Sequence, residues 1–207
     1  MSHLFAYITS LSSNQADSQQ WLSARLANVD HGIVSEIFVT KNPDLIMGSF
    51  FFAEQRTLSR SNIDSFYLAA GGDCVLCHAN ISKPDHLGSS ADHVNQSREP
   101  NATSLLRMLT EQGGDFISEL NGSAVYYGWD QHKRQLHVGK DPLNPTSLYW
   151  LHTQGGVLIS TDLKFLALVA DKPLTLSEKG LASWLSGYPN PAISLFNEIN
   201  VLESGYR

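Results

Sequence analysis

Positive charge is scarce in this sequence. Its 207 residues include 14 Lys and Arg against 20 Asp and Glu, which gives a formal net charge of −6 at pH 7. Nucleic-acid-binding proteins neutralise phosphates with clustered Lys and Arg, and polybasic segments attach proteins to anionic membranes. Because neither pattern occurs here, we expect neither a nucleic-acid partner nor a membrane partner.

Cysteine and long apolar runs are scarce as well. Cys74 and Cys77 are the two cysteines of the chain, too few to form a disulfide framework. No apolar run approaches the roughly 20 residues of a membrane-spanning helix, and the N-terminal stretch lacks the features of a signal peptide. We therefore expect a cytoplasmic protein. The hydrophobic fraction of 42% is sufficient for a well-packed core.

Short apolar segments separated by turn residues predict a chain made mostly of strands. The predicted strands cover residues 4–8, 33–40, 46–53, 65–69, 74–80, 124–129, 136–139, 147–152 and 157–160. Residues 82–101 are polar and predict a loop. This order of elements predicts an α+β fold with mainly antiparallel sheets covered by helices.

Four segments predict helices, and residues 115–120 predict one further helical turn. The spacing of apolar residues after Trp21 and the stretch 104–112 predict the first two helices. A third is predicted over residues 162–169 with Thr161 as its N-cap. The fourth covers residues 175–186 and opens with a capping box formed by Thr175 and Glu178.

A series of short motifs occupies the second half of the chain. They are Leu120-Asn121-Gly122, Trp129-Asp130, Lys140-Asp141, Ser147-Leu148-Tyr149 and Thr161-Asp162-Leu163-Lys164, followed by the terminal segment LFNEINVLESGYR. Their order resembles the glutaminase domain of the asparagine synthetase family, a class II glutamine amidotransferase with an N-terminal nucleophile (Ntn). The resemblance covers residues 100–207 most clearly. It implies a four-layer α/β/β/α sandwich of the Ntn-hydrolase type, with residues 1–207 forming a single domain.

The resemblance also implies where the nucleophile of the family would stand. These enzymes attack the side-chain amide of glutamine with an N-terminal cysteine, whose own α-amino group acts as the base. That position falls on Ser2 here, and His3 replaces the glycine that follows it in the family. A serine hydroxyl is a much weaker nucleophile than a thiol at neutral pH. Ser2 is therefore expected to be inactive towards glutamine.

The other site positions lack the charges that the family uses. The oxyanion positions fall on His78 and Ala79, and the positions that hold the substrate ammonium fall on Asn80 and Asn101. The family's carboxylate-binding arginine falls within residues 48–52, which contain no arginine. Removing one charged partner of a desolvated ligand costs about 2–5 kcal/mol, so we expect selective glutamine binding to be lost.

Three functions follow as hypotheses. The first is an inactive amidotransferase domain that serves as a scaffold for an ATP-dependent amide-forming synthetase domain beyond residue 207, as in β-lactam synthetases and lasso-peptide cyclases. ATP and magnesium would then belong to that further domain, and residues 1–207 would carry no cofactor. The alternatives are an active Ser2-dependent Ntn amidohydrolase with a substrate other than glutamine, and an interaction module that forms homodimers.

Two groups of side chains could suggest a metal or redox site. Cys74 and Cys77 form a C-x-x-C sequence, but in a strand residues three apart point to opposite faces, so core packing is the favoured interpretation. The second group consists of His78, Asp85, His86, Asp92 and His93. Its spacing matches no compact site, which favours a solvated polar loop and predicts no metal.

Overall fold

A computed structural model describes the chain as two compact units. The described residues are 3–9, 20–25, 33–39, 45–52, 64–81, 101–113, 116, 120, 122–142 and 144–202. One unit comprises Met1–Ser61 and Pro145–Arg207, and the other comprises Asn62–Asn144. Each unit contains one antiparallel sheet. The predicted α+β class with antiparallel sheets is therefore confirmed, whereas the four-layer Ntn arrangement and the single domain over residues 1–207 stay predictions.

The described elements contain more strand than helix. The strands are β1 (His3–Thr9), β2 (Ile33–Val39), β3 (Leu45–Phe52), β4 (Asp64–Leu68), β5 (Cys74–Ile81), β6 (Gly122–Asp130), β7 (Gln135–Lys140), β8 (Leu148–His152), β9 (Gly156–Ser160) and β10 (Ile199–Leu202). The helices are α1 (Asn101–Gln112), α2 (Leu163–Val169) and α3 (Glu178–Leu185), and residues 20–25 are also helical. Each of these strands except β10 lies within two residues of a predicted strand.

The first unit is built on a six-stranded sheet in the order β10-β8-β9-β1-β3-β2. Strand β1 lies near its centre, antiparallel to β3 on one side and to β9 on the other. Alternate residues of β1 point to one face of the sheet, where they meet α2. The buried core on this face comprises Phe5, Tyr7, Leu22, Ile46, Phe50, Leu151, Leu158, Phe165, Leu166, Val169 and Ile199.

The second unit is built on a four-stranded sheet in the order β4-β5-β6-β7. Helix α1 packs on one face of this sheet. Its buried residues recur at helical spacing and are Ala102, Leu105, Leu106 and Leu109. They meet the side chains of Val75, Cys77, Ala79, Ala124 and Tyr126. The turn that ends α1 contains Gly113 with a φ of 68°, which confirms the glycine stop expected from the sequence.

Two predicted helix starts are wrong in the first unit. The N-cap of α2 is Asp162, whose Oδ1 accepts a hydrogen bond of 2.7 Å from the Phe165 N–H, and not Thr161. The Thr161 hydroxyl oxygen instead accepts a hydrogen bond of 2.9 Å from the Leu4 N–H. Thr161 therefore bonds to Leu4, a residue distant in sequence, and does not cap the helix.

Helix α3 begins later than predicted for the same reason. Its N-cap is Ser177, whose Oγ accepts a hydrogen bond of 3.1 Å from the Gly180 N–H. The predicted capping box is wrong because Thr175 binds Glu198, to which its hydroxyl donates at 2.7 Å and its N–H at 2.8 Å. The prediction that α3 stops at Gly187 is confirmed, since Gly187 follows the C-cap with a φ of 78°.

Helix α1 starts inside the segment that was predicted to be a loop. Asn101 is its first residue, three positions before the predicted start. The rest of the predicted loop, residues 82–100, lies outside the described part of the chain. Within the described part, no helix has the length and apolar character needed to cross a membrane.

Candidate functional site

The start of strand β1 is the described structure nearest to Ser2, which itself lies outside the described residues. The imidazole ring of His3 stacks on the Phe50 ring, with their centroids 5.3 Å apart. Its Nδ1 is 3.7 Å from Oδ2 of Asp162, and both side chains are about one-fifth exposed. When His3 is protonated, this contact is an ion pair between the start of β1 and the N-cap of α2.

Hydrogen bonds from the end of β9 and the residue after it also hold the start of β1. The Leu4 carbonyl accepts from the Thr161 N–H at 3.0 Å and from the Ser160 hydroxyl at 3.1 Å. The Leu4 N–H donates to the Thr161 hydroxyl, as described above. Residues 160–162 therefore hold both the backbone and a side chain at the beginning of β1. Residues 161–164 form one of the sequence motifs, but nothing in the sequence indicates that Asp162 contacts His3.

Residues 48–52, where the family's arginine was expected, contribute to an aromatic core. The Phe50 ring lies 4.3 Å from the Phe165 ring and 6.2 Å from the Phe5 ring, measured between centroids. Phe50 is buried. The sequences of β1, β2 and β3 contain neither Lys nor Arg. These three strands therefore offer neither a Lys nor an Arg to a substrate carboxylate, and His3 on β1 already faces Asp162.

The residues predicted for the oxyanion and ammonium positions lie in the second unit. His78, Ala79 and Asn80 are consecutive residues of β5. Ala79 is buried against α1, and because strand residues alternate, His78 points to the opposite face of the sheet. In the register of the sheet, His78 lies opposite Asp64 on β4 and Val125 on β6.

The structure brings two of the predicted site residues together. The side-chain amide of Asn101 donates a hydrogen bond of 2.5 Å from Nδ2 to the carbonyl oxygen of Ala79. This bond joins the first residue of α1 to strand β5. It uses the amide nitrogen as a donor, which a carboxylate at the same position could not provide.

The cysteines behave as core residues. Cys74 and Cys77 are both free and buried on β5, and Cys77 packs against α1. Burial, together with the nearby Asp73 charge, raises the pKa of the Cys74 thiol to about 12. A thiol with such a pKa is almost entirely protonated at neutral pH and is a poor nucleophile or metal ligand. The core-packing interpretation is therefore confirmed.

The described residues show no cluster of metal-binding side chains. Among the residues that the structure describes, no group of three or more His, Cys, Asp or Glu is placed to hold a metal ion. Of the five residues considered from the sequence, only His78 is described. Asp85, His86, Asp92 and His93 lie outside the described residues.

Comparison with known proteins identifies one family. A family model described as a glutamine amidotransferase domain matches residues 90–207, more than half of the chain. The match includes Asn101, Asp162 and the whole series of motifs from Leu120 onwards. A comparison with curated proteins finds no match to the chain.

Proposed function

The chain belongs to the glutamine amidotransferase domain family, and from that premise we propose that it is an amidotransferase domain without glutaminase activity. In this proposal it resembles the glutaminase half of an asparagine synthetase-like enzyme, with an Ntn fold. It acts as a scaffold for an ATP-dependent amide-forming domain. Since no ammonia is then required from glutamine, the nucleophile in amide formation would be an amine of the substrate.

The observation that carries the proposal is the hydrogen bond from Asn101 to the Ala79 carbonyl. Asn101 stands where the resemblance implies an acidic partner for the substrate ammonium. An ionised carboxylate there would have an oxygen facing the carbonyl oxygen of Ala79, and both groups are acceptors. The asparagine instead satisfies that carbonyl and attaches α1 to β5. This supports a structural role for Asn101 in place of substrate binding.

The aromatic packing around Phe50 gives independent support. A glutamine carboxylate needs a cationic partner in a desolvated site. The segment in which that cation is expected contributes Phe50 to a core shared with Phe5 and Phe165. Each missing charged partner costs about 2–5 kcal/mol of binding. Two such losses are enough to abolish binding of the free amino acid at physiological concentration.

ATP and magnesium are assigned to the partner domain in this proposal. Gly155 lies in the turn between β8 and β9 and Gly156 is the first residue of β9, and the sequence after them lacks the Lys-Ser/Thr pair of a phosphate-binding loop. A Cβ at Gly156 would meet the Ile8 carbonyl, so this glycine permits close strand packing. The residues at this turn therefore do not fit a nucleotide phosphate.

Intact-mass analysis with a glutamine-analogue chloroketone tests the proposal. The native chain is expected to gain no adduct at Ser2 under conditions that fully label an active glutaminase of the same family. A Ser2→Ala variant is the matched control, because any labelling outside the nucleophile position persists in it. An adduct on the native chain that is absent from Ser2→Ala would overturn the proposal. Such a result would favour the Ser2-dependent amidohydrolase.

A further inference from the structure

Helix α3 turns its large apolar side chains towards solvent. Leu181, Trp184 and Leu185 follow one another at helical spacing, and Tyr188 lies three residues beyond the end of the helix, after the turn at Gly187. Trp184 is 59% exposed, Leu185 69% and Tyr188 87%. We call these four residues the α3 stripe. Apolar side chains in a continuous exposed row are typical of an interaction surface.

The inner face of α3 explains why the stripe points outwards. Gly180 is the buried residue of the helix, and a Cβ at this position would meet the backbone carbonyl of Ser194. The helix is therefore docked through its smallest residue, directly against backbone. Because no larger side chain fits on that side, the leucines and the tryptophan remain on the outer side.

An open cavity lies beside the stripe. Its volume is about 380 Å³, and its lining includes Trp184, Pro189, Pro191 and Ile193. Tyr188 is adjacent to Pro189 in sequence and is the most exposed of the large apolar residues described. One surface therefore combines a projecting aromatic ring with a cavity large enough to receive such a ring.

The segment that carries the stripe and most of the cavity lining is uncharged, although the chain as a whole is acidic. Residues 180–197 contain no Asp, Glu, Lys, Arg or His, whereas the net charge of the chain is −6. Two copies of the chain repel each other over most approaches because their net charges have the same sign. Residues 180–197 themselves would bury no charged side chain at such a contact. The nearest charge in the row, Glu178 one turn before Leu181, is exposed and would lie at the edge of the contact.

The exposed area of the stripe is sufficient for a weak dimer. A fully exposed aromatic side chain presents about 150–250 Å². Scaled by the exposed fractions of Trp184 and Tyr188, and with the two partly exposed leucines, the stripe presents on the order of 500 Å². A two-fold contact removes that area from both copies, on the order of 1,000 Å² in total, which is the lower limit for a specific interface. Contacts near this lower limit are typical of weak, transient association. The area does not fix the affinity, and we expect a dissociation constant in the micromolar range.

We propose that the α3 stripe is a homodimer interface in which Tyr188 of each copy enters the cavity of the other. A two-fold interface requires one surface to be complementary to itself. The stripe and the cavity meet this requirement, because each copy supplies both the ring and the recess. This proposal does not depend on the absence of glutaminase activity.

Sedimentation velocity over a range of chain concentrations tests the proposed dimer. The native chain is expected to change from monomer to dimer as its concentration rises through the micromolar range. In Leu185→Glu, an unpaired charge at the contact is expected to raise the dissociation constant on the order of tenfold or more. Far-UV circular dichroism checks that the variant is folded, and folding is expected because the substituted side chain is exposed.

Leu168→Glu is the matched control. Leu168 is also an exposed leucine, at 43%, and lies on α2. It is five residues after Leu163, which lines the cavity, and hence roughly 140° further round the helix. This variant is expected to dimerise like the native chain. Equal weakening by both substitutions would overturn the proposal, as would a native chain that stays monomeric at tens of micromolar.

Two further measurements identify the contact directly. A mixture of Leu185→Glu and Leu185→Lys is expected to dimerise more strongly than either variant alone, since the mixed pair places opposite charges in the same interface. Trp184 is the exposed tryptophan among the four in the chain. Its emission is therefore expected to shift to shorter wavelength as the native dimer forms. A mixture that stays monomeric, or an unchanged emission in a dimeric native chain, would overturn the proposed contact.

Discussion

The hydrogen bond between Asn101 and Ala79 allows a sharp test of how this chain uses a position that the family gives to an acidic residue. In Asn101→Asp the ionised side chain cannot donate to the Ala79 carbonyl. Leaving a buried acceptor without its donor costs about 1–3 kcal/mol. An Asp at the start of α1 recovers about 0.3–1 kcal/mol from the helix dipole. We therefore expect a net loss of about 1–2 kcal/mol in the free energy of unfolding at pH 7.

The pH dependence separates this mechanism from a general packing defect. Only the protonated form of the introduced carboxyl group can donate to the Ala79 carbonyl, so folding raises its pKa above the unfolded value of about 3.9. The deficit relative to the native chain should be smallest below that unfolded pKa. It should grow as the pH rises through the raised, folded-state pKa.

Urea unfolding of the native chain, Asn101→Asp and Asn101→Ala at several pH values measures these differences. Asn101→Ala removes the amide without introducing a titratable group, so its deficit should be independent of pH. If Asn101→Asp is as stable as the native chain at pH 7, the ionised carboxylate is tolerated and the reasoning is refuted. A deficit in Asn101→Asp that does not vary with pH would refute the proposed geometry as well.

The remaining predictions concern packing, a carboxylate and the thiols. Gly180→Ala should lower the free energy of unfolding by about 1–3 kcal/mol, because its Cβ meets the Ser194 carbonyl. Gly71→Ala has no atom near its added Cβ and should be close to neutral in the same unfolding assay. Equal effects of the two substitutions would contradict this account. The hydroxyl and N–H of Thr175 lower the pKa of Glu198, so any stability that this pair provides is lost as the pH falls through that pKa. Thr175→Val should therefore raise the titration midpoint of Glu198 measured by NMR. An unchanged midpoint would exclude the hydroxyl as a cause. Cys74 and Cys77 should react with a thiol reagent only after denaturation, because both are buried; rapid labelling of the native chain would show that one of them is accessible.

The strands could be predicted from the sequence because their signal is local. Alternating or continuous apolar residues bounded by turn residues marked nine of the strands to within two residues at each end. Glycines after α1 and α3 marked the helix ends for an equally local reason, since a positive φ favours glycine. Neither feature depends on which distant segment becomes the neighbour.

The helix starts could not be predicted, because several residues near each start have suitable side chains. Thr161 and Asp162 are both good N-caps by residue type, as are Thr175 and Ser177. The choice depends on partners elsewhere: Thr161 binds Leu4, 157 positions away, and Thr175 binds Glu198, 23 positions away. These contacts cannot be predicted from the local sequence.

The family could be predicted from the sequence, but the contacts among the candidate site residues could not. The motif order of the second half led to the amidotransferase family, and the family match at residues 90–207 agrees with it. The positions assigned to Asn101 and Ala79 came from the resemblance, whereas their hydrogen bond depends on how α1 approaches β5. The contact of His3 with Asp162 likewise joins residues from opposite ends of the chain. The roles predicted for Ser2, His78, Ala79, Asn80 and Asn101 stay predictions.

Ammonia release from glutamine is the most direct test of the central claim, and it should be measured on both the native chain and Ser2→Cys. The native chain is expected to release none above background. Ser2→Cys is also expected to be inactive, because a thiol at residue 2 does not replace the missing cation around Phe50 or the missing carboxylate at Asn101. Ammonia release by the native chain at rates typical of glutaminases would contradict the account outright. Release by Ser2→Cys alone would show that the binding site is intact and that only the nucleophile has been lost.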